Sequence, residues 1–138
     1  MKLLGLWALL SCGALLVGAL TTPWWIASYF HATLATYGAE HLAAAAAAEF
    51  LAKEAWSMAA TCVLAAAGAV TGFFMWREGR ASLRAWRGVC ALALLDIAVR
   101  WAWFDAEPTF AVGWVVYWCA MGLWGELCAR RTAASGVA

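Results

Sequence analysis

The sequence predicts an all-α, polytopic integral membrane protein: a bundle of four transmembrane helices with an extra helical segment at the outer surface between the first two. Three observations predict it. Of 138 residues, 67% are hydrophobic and only 12% charged, whereas a soluble domain carries about 25% charged residues and needs that polar surface to coat its core. Residues 3–22, 57–76 and 108–125 contain no charge at all, and each approaches the roughly 20 residues that cross a bilayer as helix. The basic residues are gathered at segment ends, as the positive-inside rule requires of cytoplasmic connections.

The first spanning helix is expected over residues 3–22. Met-Lys before an apolar run resembles the opening of a signal peptide, but the basic region is a single residue and no A-x-A site follows, so the segment is expected to remain as an anchor. Pro23 lacks an amide hydrogen and marks a break. Residues 23–39 are uncharged but dotted with Ser, His, Thr and Tyr, and an aromatic-rich helix lying on the outer surface is the favoured reading, within an interfacial segment of about 23–55. The rival is a crossing by residues 23–41, which would make five spans. The alanine run 43–48, followed by Glu49 and Lys53 at i and i+4, favours helix strongly and is expected to carry the second span upward beyond the headgroups.

The second span is expected over 57–76, the third over about 84–104 and the fourth over about 108–128, in one domain covering 1–138. The connection after the second holds Arg77, Arg80, Arg84 and Arg87 against one Glu78, and the chain ends near Arg130 and Arg131. With Lys2, these place both termini in the cytoplasm. The opposite side receives Glu40, Glu49, Glu54, Asp105 and Glu107 against Lys53 and Arg100. Many of the eleven tryptophans agree: Trp24, Trp25, Trp56, Trp101 and Trp103 fall at outer helix ends, and Trp76 and Trp86 at inner ends, as interfacial belts do.

Within the third helix Asp96 and Arg100 stand four residues apart, at and just beyond the midplane, and share a face. Mutual pairing explains their tolerance in lipid, with Arg100 free to reach outward to headgroup phosphates or toward Asp105. An ionisable group at that depth also marks a proton or substrate path, and Thr61, Thr71, Ser11 and Tyr117 are the polar residues on other helices that Asp96 would need. Glu126 and Arg130 repeat the i, i+4 arrangement at the inner end of the last helix. Small residues supply the packing faces: Thr61, Ala65, Gly68 and Gly72 form one stripe on the second helix, and Ala14 and Gly18 a shorter one on the first.

His31, Glu40, His41, Glu49, Asp105 and Glu107 form a candidate ligand or cation site at the outer surface, set against a plain reading as solvated residues. The five cysteines lie in apolar runs without C-x-x-C spacing and read as small buried hydrophobes. No catalytic triad, phosphate loop or H-E-x-x-H occurs, so no catalytic residue, metal or cofactor is specified. The arginines make no basic surface for nucleic acid. Membrane lipids and other integral membrane subunits, or copies of the chain, are the expected partners. The function this supports is a non-catalytic accessory subunit of an inner-membrane complex, packing through Trp-rich and small-residue faces. A small oligomeric transporter or channel using Asp96 and Arg100 is the alternative, and a lipid- or quinone-directed enzyme at the outer surface ranks last.

Overall fold

A computed structural model describes residues 1–78, 82–103 and 108–135. Four α-helices account for nearly all of them: α1 (Lys2–Ala35), α2 (Ala43–Glu78), α3 (Leu83–Trp103) and α4 (Pro108–Ser135), with a single 3-10 turn at Glu40–Leu42 and no strand among the described residues. Three segments are long and apolar enough to cross a membrane: Lys2–Ala35, Glu40–Arg77 and Val112–Arg131. The third helix, α3, falls outside that class because Arg84, Arg87, Asp96 and Arg100 interrupt its apolar run.

The largest departure from the sequence reading lies at Pro23. Rather than ending α1, the proline sits inside a helix of 34 residues, so residues 23–35 continue α1 and do not form a separate helix. Packing accommodates it: α1 meets α2 on both sides of the proline, at Gly5 against Gly72 and at Phe30 against Phe50, and a neighbouring helix can hold a helix through the turn where proline removes an amide donor. The chain leaves the helix through Gly38, whose φ of +67° glycine adopts without strain. There the amides of Gly38 and Ala39 bond to the carbonyls of Ala35 and Leu34 at 3.1 and 2.9 Å, which is a Schellman cap.

Both α1 and α2 therefore run as one long antiparallel hairpin. Near the turn, the small buried faces of Ala43 and Ala47 let the helices approach, and Phe30 meets Phe50 with ring centroids 6.0 Å apart. Near the chain termini the approach is closer still, because Gly5 and Gly72 face each other: a methyl on Gly72 would stand 2.6 Å from the backbone nitrogen of Leu9 and 2.9 Å from the carbonyl oxygen of Gly5. On α1 the packed stripe is Leu4, Gly5, Ala8 and Cys12. Ala14 and Gly18, expected to pack, do not; Gly18 has open space where a side chain would go. Small residues permit close approach but do not compel it, and the turn-to-turn register of Gly5 with Gly72 decides which stripe is used.

The second hairpin, α3 and α4, packs on the first through α2. Its centre is Trp86, fully buried, whose indole Nε1 donates to the carbonyl of Met121 at 3.4 Å and whose ring lies 6.1 Å from that of Trp118. Trp86 was expected at a membrane surface; the small edge of Gly125, which Trp86 covers at 3.3 Å from a would-be Cβ, instead opens a slot for it. Leu4, Ala8, Cys12, Met75, Trp86, Val89, Cys90, Ala93, Trp118 and Met121 form one core. Most of it lies toward the termini; toward the other end α4 stands off α1 and α2 across an open groove.

Candidate functional site

Where the helices part, Arg100 ties α3 back to α2. It comes from the last turn of α3 and its guanidinium donates Nη1 to the hydroxyl of Ser57. Nη2 reaches the carbonyl of Ser57 at 2.8 Å and the hydroxyl of Thr61 at 2.9 Å. Thr61 is held ready for this, since its own proton goes to the Ser57 carbonyl at 2.9 Å. Asp96, one turn before Arg100 on the same face, places Oδ2 2.8 Å from Nη2. The two side chains are only 21% and 17% exposed, so the pair is recessed among helices rather than turned to the surroundings.

Four residues apart on a helix are neighbours, so the Asp96 and Arg100 contact follows from the sequence. The role of Ser57 does not. Nothing in the sequence marks a serine at the start of an apolar run as an arginine acceptor; only the antiparallel register of α2 and α3 brings residues 57 and 100 level. Arg100 also points toward α2 rather than outward, because a serine carbonyl and two hydroxyls there satisfy more of its five donors than one phosphate would. Asp105 lies outside the described residues. Of the polar candidates for Asp96, Thr61 bonds Arg100 instead, Thr71 is buried farther toward the termini, and Tyr117 donates to Ser11 at 2.7 Å.

Beside this clasp is a cavity of about 130 Å³, walled by Thr61, Ala65, Ala93, Asp96, Arg100, Trp114 and Trp118 among others. It adjoins a groove of about 820 Å³ between α1, the middle of α2 and the start of α4, lined by Ser11, Ala14, Gly18, Ala19, Ser57, Gly113, Trp114 and Tyr117 among others. The unused small residues Ala14 and Gly18 thus form a wall of the groove.

At the terminal end a second ion pair joins α3 to α4. Arg87 grips Glu126 with a two-pronged contact, Nη2 to Oε2 at 2.8 Å and Nε to Oε1 at 2.5 Å, the geometry in which arginine binds carboxylate best. The i, i+4 spacing pairs Glu126 with Arg130; the register of α3 against α4 instead sets Arg87 where its guanidinium meets both carboxylate oxygens.

The outer-surface candidates do not assemble. His31 on α1 and Glu40 and His41 in the 3-10 turn are exposed, while Glu49 is paired with Lys53 at 2.8 Å along its own helix, whose ammonium lowers its pKa first by hydrogen bonding. Asp105 and Glu107 lie outside the described residues, and among the described residues no three His, Cys, Asp or Glu side chains come together as metal ligands. Comparison of the chain with known protein families, characterised proteins and solved structures gives no match.

Proposed function

We propose that the chain is a four-pass, non-catalytic subunit of a larger membrane assembly, with both termini cytoplasmic and the α1–α2 hairpin as its docking spur. The observation that carries this is the length of the hairpin. At about 1.5 Å per residue the 34 residues of α1 and the 36 of α2 each reach beyond about 50 Å, against about 30 Å of hydrocarbon. If Leu3 marks the inner edge, the outer edge falls near Thr22, and about 20 Å of hairpin stands clear of the acyl chains. That projecting part exposes Tyr29, Tyr37, Leu42 and Phe50. Lipid tails do not reach them, and exposed aromatics in water are the composition of protein interfaces.

The clasp fits the same reading. Arg100 is committed to Ser57, Thr61 and Asp96, which makes the ion pair a fastener for α3. This fastening supports a fourth crossing, since it shields the charges that interrupt the apolar run. Mild-detergent purification of the native chain should bring partner subunits down in fixed ratio, and photo-crosslinkers placed at Tyr29 and Phe50 should capture those same partners. A lone monodisperse protein with no crosslinks from the spur would refute the assignment.

The transporter alternative draws support from one observation: Asp96 lines a cavity. On that reading proteoliposome transport depends on Asp96, and transport unchanged in Asp96→Asn would remove it.

A further inference from the structure

The cavity and the groove share Leu15, Thr61 and Trp114 in their walls, so they form one site with a polar floor and an apolar run. The floor is under-satisfied. Asp96 meets Arg100 through Oδ2, which leaves Oδ1 outside that contact. Arg100 Nε is buried, with no acceptor among the described residues. Because the pair is already neutral, an anionic guest would leave a net charge out of water, which costs several kcal/mol in a low-dielectric site. A neutral hydroxyl donating to Asp96 carries no such penalty.

Size narrows the guest further. A volume of about 130 Å³ is close to the roughly 150 Å³ of an engineered cavity that holds benzene, so the head is a glycerol or a single ring. The groove beyond it has small residues along α1 and Gly113 opposite on α4, with open space at both Gly18 and Gly113. We infer that this site binds a neutral, hydroxyl-bearing amphiphile, its head hydroxyl donating to Asp96 Oδ1 and its hydrocarbon tail lying between α1 and α4. This holds whether or not the spur docks a partner.

The test uses the full chain in phosphatidylcholine nanodiscs with a monoacylglycerol carrying a diazirine in its tail, crosslinks being mapped by peptide mass spectrometry. Saturable labelling should fall on residues 14–19 and on Gly113 and Trp114, and unlabelled monoacylglycerol should compete. Methylating both head hydroxyls should weaken labelling about tenfold, the loss expected for one hydrogen bond to a charged group. Gly18→Leu fills the groove from a position with open space around it, so it should abolish labelling while leaving helicity and melting unchanged. Asp96→Ala should weaken labelling as methylation does. Labelling spread evenly over all lipid-facing residues and indifferent to Gly18→Leu would mean ordinary annular lipid and overturn the inference. Equal competition by lysophosphatidic acid would overturn the neutral head, and crosslinking of the groove to a protein helix in native membranes would overturn the lipid occupant.

Discussion

Replacing Gly72 by alanine tests the packing of α1 against α2 at its tightest point. The added methyl would stand 2.6 Å from the nitrogen of Leu9, 2.9 Å from the oxygen of Gly5 and 3.0 Å from the carbonyl carbon of Ala8. All three are backbone atoms of α1, so no rotamer change relieves the clash and the helices must separate. Overpacking of this kind costs about 1–3 kcal/mol, and backbone contacts place it at the upper end. Alanine regains about 1 kcal/mol of helix propensity over glycine, leaving a net loss of about 2 kcal/mol. For a chain of this size that corresponds to a melting shift of roughly 6–10 °C.

Gly68→Ala provides the internal control. Its methyl would meet Cys12, 2.5 Å from Sγ and 3.2 Å from Cβ, and both atoms belong to a side chain. Adding Cys12→Ala should therefore restore most of the loss at position 68, whereas the same second change should do nothing for Gly72→Ala. Thermal melting of the four variants in one detergent, followed by tryptophan fluorescence, reads both effects. A Gly72→Ala protein within about 0.5 kcal/mol of the parent, the range of an ordinary surface substitution, would refute the idea that backbone contact between α1 and α2 fixes the hairpin.

Other expectations follow from the same geometry. Arg100→Gln leaves Asp96 recessed and unpaired and should cost about 3–5 kcal/mol, most of it recovered by adding Asp96→Asn; additive losses in that double-mutant cycle would show that the two charges do not act together. Trp86→Ala empties the centre of the core and should cost about 3–5 kcal/mol, while Trp25→Ala, at an exposed position, should leave the melting point of the isolated chain unchanged.

How far the sequence could be read depended on whether the signal was local. All-α character, the apolar runs and the i, i+4 contact of Asp96 with Arg100 are set by residues adjacent along the chain or along one helix, and they are visible without a structure. The hidden features all depend on inter-helix register. Ser57 becomes an arginine acceptor only when α2 and α3 lie antiparallel with residues 57 and 100 level. Glu126 chooses Arg87 over Arg130 for the same kind of reason. Pro23 is instructive in the opposite direction: it is a strong local breaker, overridden by the packing of α1 on α2 to either side of it.

The uneven packing of the bundle links the ion pair to the cavity. At the terminal end, glycines and alanines let three helices close around Trp86, and little room is left for any guest. Toward the other end the small residues of α1 meet nothing, because α3 is drawn to α2 by Arg100 while α4 approaches α1 chiefly at Tyr117 and Ser11. A fastener that binds α3 to α2 therefore also keeps the groove open, since it fixes the position from which α4 must descend. Weakening it by Ser57→Ala together with Thr61→Ala, which removes two of Arg100's acceptors and leaves Asp96 in place, should let α4 settle onto Ala14 and Gly18. A bridging distance measured by spin labels at positions 14 and 116 should then shorten. If that distance stays as it is in the parent, the groove owes its width to the α4 backbone itself and not to the clasp.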